Sequence, residues 1–558
     1  MILLLISPII EELSALKSKV IRYFKYPDIS GKNLSKTLRG KFKSSFSTVS
    51  EAGNKWILID NFSIPQWIFI NSLAAHKLAV DNNAEIKVFS FRTLSFESKQ
   101  IFKSFDLNHF MKIKLNLFQF THVYIKYIRY YRTLKEPKDL FNFSVTGIHL
   151  GIDIYESIIR EGKRTVNIDS ITAQRKFYLG IKQMHFMQQL IDNKEIIAMF
   201  LSHDNYLGPG LAARIAYKNR IPVFLLNTRE VLCPSYDFEI YERFSNYPRY
   251  FDSLSRNEKI RLLDESKKLQ KNRLSGSVDG SLPYQEKSAF DNDKTEMQIQ
   301  KSNYSVRVLI AVHDFFDNPH AYSKMMFRDF WVWLEFLGEL SQRTDYEWFI
   351  KMHRDFSEAE YEAVLLFTEK YTNIRRINPN TSFHQLKSEG LTHVLTCHGT
   401  VGHELPELGI NVINCAHNPH IAYEFAETYL NIDDYTARLI ALDSKDRPRG
   451  TEKLSEFYAA HYFIMNPNSF IYPVGNTYLE KHGVSQSLSK SLTWPIANFD
   501  KVLKMTLDRM DELMSFKRVF SQEAVLPTEK QKKARNLDQL LWQNEGKVLP
   551  ETNYEPQQ

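Results

Sequence analysis

The sequence predicts an α/β chain built from two doubly wound parallel sheets that face one another across a cleft. Three observations carry the prediction. The chain has 558 residues, too many for one core at roughly 150 residues per domain. Short apolar runs of strand character alternate with longer amphipathic runs, the pattern of parallel strands joined by helical crossovers. That alternation stops once, over about residues 265–305, and then resumes, which divides the chain in two.

Taken in order, the first ten residues (MILLLISPII) are apolar, but Glu11 and Glu12 follow at once. A spanning helix needs about 20 apolar residues, so the run is too short. It lacks the positive start and small-residue cleavage site of a leader peptide, and reads as a buried strand or helix start. Trp56–Asp60 (WILID) is a buried-strand candidate, followed by a helix near Trp67–Ala79; Glu85–Phe91 is the next strand. Ile196–Leu201 leads through SHDNYLGPG into the helix LAARIAYKN, and Ile221–Leu226 closes a βαβ unit in about 30 residues.

The polar stretch 265–305 reads as a linker or surface excursion, so residues 1–264 form the first domain. The second, 306–490, opens with the strand Val306–Val312 and a helix over Tyr322–Leu340. Strands follow at Tyr346–Met352, Thr392–Cys397 and Asn411–Cys415, with a helix over Ser357–Tyr371 and a short one over Glu404–Leu408. Residues 491–558 read as C-terminal helices and a polar tail, frayed beyond Pro527.

Composition narrows the function classes. With 43% hydrophobic and 25% charged residues the chain is globular and not a disordered polymer. Cys233, Cys397 and Cys415 make no disulfide framework and no CxxC pair, which fits a reducing compartment and excludes a cysteine zinc site. The net charge of +7 is concentrated: Lys17–Lys43 carries nine basic residues and one acid, Lys103–Lys135 seven and one, the latter with eight Phe or Tyr. Basic and aromatic residues interleaved in this way suit an anionic membrane surface, a nucleic acid or an acidic substrate. No RNA- or DNA-binding module accompanies them, which disfavours nucleic acid.

In open α/β sheets ligands bind beyond the carboxyl ends of the strands, so the residues directly after strands are the candidates. The strongest signal is His398-Gly399-Thr400-Val401-Gly402-His403-Glu404, which follows a strand and opens a helix. Its glycines admit a close ligand, the helix N-terminus favours a phosphate or carboxylate, and Glu404 suits a ribose diol. Lys351 and His353 share one side of a strand end, where they suit phosphates or the charge of a departing nucleotide. His313 and Asp317 lie on the loop HDFFDNPH after the second domain's first strand and face the cleft. In the first domain, Asp153 in GIHLGIDIYE and Asp204 in SHDNY are candidate general bases. No HxxxH spacing points to a metal, and neither a GxSxG elbow nor a GxxxxGK[ST] phosphate loop is present.

HGTVGHELPELGINVINCAHNPH resembles the donor-site segment of GT-B glycosyltransferases of bacterial capsule and surface-polysaccharide pathways, with their GTxGxE turn followed by a short strand. KMHRDF is similar to their K-x-H-P element, with Arg354 where proline is usual. HDFFDNPH with FRDFWVWLEF is similar to the segment that opens their second domain, and SHDNYLGPGLAARIAYKNRIPVF and GIDIYESIIREG to elements of the first. The resemblance covers roughly Val306–Glu427 and, more loosely, Phe143–Glu230.

It implies two Rossmann-like domains and a metal-independent transferase with no cofactor, the nucleotide sugar being a co-substrate. Gly399, Thr400 and Gly402 would face donor phosphate, Glu404 the ribose, and Lys351 and His353 the leaving nucleotide; the motif does not fix the base, for which Asp153 is the first candidate and Asp204 the second. The acceptor would be a growing, lipid-linked glycan, and the two basic stretches would hold a cytoplasmic enzyme to the inner face of the cytoplasmic membrane. The alternatives are a nucleotide-sugar epimerase of the same shape and a non-catalytic glycan-binding subunit of a polysaccharide assembly complex.

Overall fold

The computed structural model describes residues 29–45, most of 54–226, 231–232, most of 244–465, and 496–522, together with 7–8 and 11. The polar tail beyond residue 522, most of the apolar N-terminal run, and residues 17–28 of the first basic stretch lie outside the described residues.

The first sheet starts from β1 (Lys55–Asp60), whose last four residues are all buried. Helix α1 (Ile29–Ser45) precedes it and α2 (Pro65–Asn82) follows. Buried on nearly every side up to Ala79, α2 is a core helix and not an amphipathic one. β2 (Glu85–Ser90) and β3 (Phe110–Lys112) extend the sheet on one side of β1. After β3 come α3 (Leu117–Tyr131) and a hairpin of β4 (Ser144–Val145) and β5 (Ile148–His149). Thr146 and Gly147 both have positive φ at the hairpin's tip, the geometry a tight two-residue loop requires. Then α4 (Gly151–Ile159) and α5 (Ile171–Asn193) lead back to β6 (Glu195–Leu201), on the other side of β1. α6 (Leu211–Lys218), β7 (Val223–Leu226) and an antiparallel β8 (Val231–Leu232) complete the order β3-β2-β1-β6-β7-β8.

The stretch expected to be a linker is not one at its start. α7 (Arg256–Leu274) runs straight through residue 265, begun by a capping box between Ser255 and Glu258. It is polar nearly all round and held by i,i+4 pairs such as Arg261–Glu265 and Asp264–Lys268, so apolar periodicity could not reveal it. Phe244, Tyr247, Tyr250, Phe290 and Ile299, from either side of α7, lie in the same core as Leu309 and Val394, so this region belongs with the second sheet.

That sheet repeats the first one's winding. β9 (Arg307–Ala311) is central, followed by α8 (Phe330–Ser341), β10 (Glu347–Lys351), α9 (Glu358–Lys370) and β11 (Ile374–Ile377) on one side. β12 (His393–Thr396), the single turn α10 (Val401–Glu404), β13 (Asn411–Asn414) and β14 (Glu427–Thr428) follow on the other. The order β11-β10-β9-β12-β13-β14 is parallel throughout. α8 starts at Phe330 and not at Tyr322, because Asp329 accepts the backbone N–H of Val332 and ends the preceding irregular segment. α11 (Leu454–Tyr458) packs on α7.

α12 (Phe499–Gln522) then returns to the first sheet, where Phe499 meets Phe69 edge-on and Ile496, Val502 and Met510 join the core around α2.

Both sheets thus reverse winding at one point, between β1 and β6 and between β9 and β12. This is the 3-2-1-4-5-6 order of Rossmann folds, with a ligand crevice at each reversal. Loops from the two carboxyl edges meet: Tyr206, after β6, donates its hydroxyl to Asp317, after β9, at 2.7 Å.

Candidate functional site

At the second sheet's reversal point, the loop after β9 meets the turn after β12. His313 Nε2 lies 3.0 Å from Thr396 Oγ1, and its ring stacks on Phe330 and tilts against His398, centroids 4.5 Å apart. Burial above all holds both imidazoles neutral, with His398 lowered to about 4 and His313, which also feels the His398 ring, well below its usual value. They offer hydrogen bonds at neutral pH and no charge.

The glycines of the turn answer to neighbours within the domain. A Cβ on Gly402 would stand 2.3 Å from His420 Cε1 and Nε2, an overlap no rotamer of a fully packed ring relieves. One on Gly399 would stand 3.0 Å from Thr396 Oγ1 and 3.1 Å from His313 Cε1. Both positions thus have a packing reason to be glycine. Glu404 closes the single turn α10 and does not open a helix, since a 3-10 turn follows at once over Leu405–Leu408.

Beside this turn lies a small pocket, partly open to solvent, at the carboxyl ends of β9 and β10. Thr400 and Glu404 line one wall, and Lys351, His353 and Arg354 another. Arg273, Lys287, Phe290 and Phe383 come from segments that no sequence pattern places there. Four cations therefore face one carboxylate. Lys351 is 4% exposed and donates to the carbonyl of Pro379 at 2.9 Å. Desolvation first, and the nearby Arg354 second, lower its pKa to about 7. Arg354 is also buried, donating to the carbonyl of Asn380 and lying 3.5 Å from Asp291. His353 accepts the backbone N–H of Asp355 at Nδ1, and burial lowers its pKa.

Glu404 is fixed by a residue of α7. Arg273 lies with Nη1 3.7 Å from its carboxylate, donates to the Tyr462 hydroxyl and rests its guanidinium 4.1 Å from that ring. Only the fold brings Arg273 beside Glu404. Phe290, the one phenylalanine of the polar stretch 265–305, lines the same pocket.

The remaining candidates lie elsewhere. Asp317 is not in the pocket: it joins the domains, through the Tyr206 hydroxyl and through Arg160 at 3.5 Å. Asp153 has no exposed surface and is paired with Arg214 at 2.7 Å, packed against the backbone near Gly210. Burial raises its pKa to about 7 against the pull of Arg214. An acceptor hydroxyl has no path to it, so the first-ranked base is corrected to a structural carboxylate. Asp204 is half-buried on the loop after β6, at the first sheet's reversal point.

Two more ties fix the domains against each other. Asp329 accepts from Tyr155 at 2.6 Å and from Thr165 at 2.8 Å. Glu156 accepts from the backbone N–H of His320 at 3.1 Å and pairs with its Nδ1 at 2.9 Å. Among the described residues, no three His, Cys, Asp or Glu side chains are grouped to hold a metal ion.

Two Rossmann-like domains with facing carboxyl edges define the GT-B architecture. Among solved structures the chain is similar to a KpsC from Thermosulfurimonas dismutans, described as a beta Kdo 2,4 transferase, with 14% identity, 49% of this chain, 81% of that one and a TM-score of 0.30. It is also similar to the UDP-GlcNAc 2-epimerase of Neisseria meningitidis bound to UDP-GlcNAc (12% identity, 75% and 98% covered, TM-score 0.21). A third is MurG of Acinetobacter baumannii (11%, 73% and 94%, TM-score 0.22). No protein-family model matches the chain, and no curated protein does. At these identities and scores the likenesses say nothing of chemistry, and the architecture rests on the two strand orders.

Proposed function

We propose that this protein is a metal-independent glycosyltransferase that moves a sugar from a nucleotide-sugar donor to a growing, lipid-linked bacterial surface glycan. One observation carries the reading: a pocket at the carboxyl edge of a Rossmann-like sheet holds four cations against one carboxylate, with Lys351 buried beside Arg354. Arg354 already has Asp291 at 3.5 Å, whereas Lys351 has, among the described residues, only the Pro379 carbonyl, so its charge is costly unless an anion joins it. A nucleotide's phosphate would neutralise it.

In this mechanism Lys351, with Arg354 behind it, takes the charge that grows on the phosphate as the sugar–oxygen bond breaks. Glu404, held by Arg273, accepts hydrogen bonds from the ribose diol. His353 and Thr400 line the same pocket and donate neutral hydrogen bonds to the phosphate. Asp204 takes the proton of the acceptor hydroxyl as that oxygen attacks the anomeric carbon.

A thermal-shift screen against CMP, UDP, GDP and their sugar conjugates tests this. One nucleotide series is expected to raise the melting temperature, by about 2.7 kcal/mol of stabilisation at 100 times its Kd, and Lys351→Met to abolish the effect. Sugar transfer is expected to persist in a metal chelator. No shift with any nucleotide overturns the donor site, and turnover of free nucleotide sugar to an epimer without acceptor overturns the transferase.

A further inference from the structure

Helix α3 presents an outer face that no described residue of either domain covers. Phe118 is 83% exposed, Leu117 82% and Ile125 59%, which puts these three among the most exposed large apolar side chains of the described residues. They begin a stripe at helical spacing that continues through Arg129 and Arg132, also exposed. The opposite face is anchored: Val123, Tyr127 and Tyr131 are buried, and α3 packs along α5. The start of the helix is fixed too, by a capping box between Asn116 and Gln119. The exposed side chains therefore sit on a rigid support and not on a fraying end.

Charge decides what covers this face. Between Asp106 and Glu136 the chain has six Lys or Arg and no acid. Lys114, Arg129 and Arg132 form no ion pair with a described carboxylate. A second copy of the chain would bring like charge against like charge, and a soluble polyanion has no use for Leu117 and Phe118. An anionic lipid surface satisfies both features, since cations meet headgroups while the apolar side chains enter the acyl boundary. α3 runs antiparallel to α5, with Gln119 bonded to Gln189 and Tyr131 packed on Phe177. Its cationic end thus lies toward Ile168, whose carbonyl accepts the Tyr131 hydroxyl, and so toward the interdomain contact at Thr165.

We infer that the outer face of α3 docks the protein on an anionic bilayer, with Leu117, Phe118 and Ile125 inserted and the neighbouring cations on lipid headgroups. The docking is independent of the sugar chemistry and stands or falls by its own test. Purified protein is sedimented with vesicles of phosphatidylglycerol mixed with phosphatidylcholine, and with vesicles of phosphatidylcholine alone. Binding is expected only to the mixed vesicles and to weaken with salt. Arg129→Gln and Arg132→Gln should each weaken it about fivefold, and the pair Leu117→Ser with Phe118→Ser should remove most of it. Melting temperatures should not change, because all four side chains are exposed.

Absence of binding by the wild type overturns the inference. So does full binding by the Leu117→Ser, Phe118→Ser variant, which would place the membrane face elsewhere. A variant that turns a dimer into a monomer with vesicle binding intact makes this face a contact between copies instead. Equal capture by heparin, indifferent to Leu117 and Phe118, makes it a polyanion site.

Discussion

Lys351→Met removes the most strained charge of the pocket while keeping its length. Burial among Phe383, Met352 and the strand ends lowers the Lys351 pKa from 10.5 to about 7. At roughly 1.4 kcal/mol per pH unit this corresponds to a ceiling of about 5 kcal/mol. Hydrogen bonding to Pro379 and local relaxation reduce it, and exchange of buried ionic groups for apolar ones of similar size has gained about 1–4 kcal/mol. The sign follows from proton counts. Between pH 7 and 10.5 the unfolded chain holds a proton on this lysine that the folded chain has lost, so wild-type stability rises with pH across that window. Below about pH 7 both states are protonated and the full penalty is present. Lys351→Met should therefore melt higher than wild type near neutral pH, by about 2–4 °C for each kcal/mol, and the gap should close toward pH 10. Inorganic pyrophosphate should raise the wild-type melting temperature and leave the variant's unchanged. A variant that melts lower than wild type at neutral pH, or keeps the pyrophosphate shift, refutes the claim that an unneutralised cation waits there for phosphate.

Three further perturbations probe the frame. Gly402→Ala should cost about 1–3 kcal/mol by overpacking against His420; denaturant melts should show the loss largely restored in Gly402→Ala, His420→Ala, and an additive double variant would deny the contact. Arg273→Met leaves Glu404 buried without its cation and should cost about 3–5 kcal/mol, with Arg273→Met, Glu404→Gln recovering part of it in the same melts. Asp329→Ala removes the acceptor of Tyr155, Thr165 and the α8 N-cap together; at about 1–2 kcal/mol for the cap alone, calorimetry should show the two domains melting apart where the wild type melts as one.

The sequence by itself determined the eight inner strands of the two sheets, which are short and apolar enough to announce themselves. The edge strands β3, β8, β11 and β14 escaped it, because an edge strand such as Ile374–Ile377, with two exposed arginines, carries no continuous apolar run. The turn His398–Glu404 and the strand end Lys351–His353 were legible for the same reason, since both adjoin a strand and ligand sites follow strand ends. Tertiary structure alone decided which side chains meet. Arg273 reaches Glu404 from a helix that is polar nearly all round, and α12 returns from the far end of the chain to cover the first sheet. Asp153 passed for a base because an acid near glycines looks the same in sequence whether solvent or Arg214 lies beside it. Local pattern records what one element needs buried. Which element buries it, and which charge is left waiting for a ligand, depends on contacts between elements that are separate in the chain.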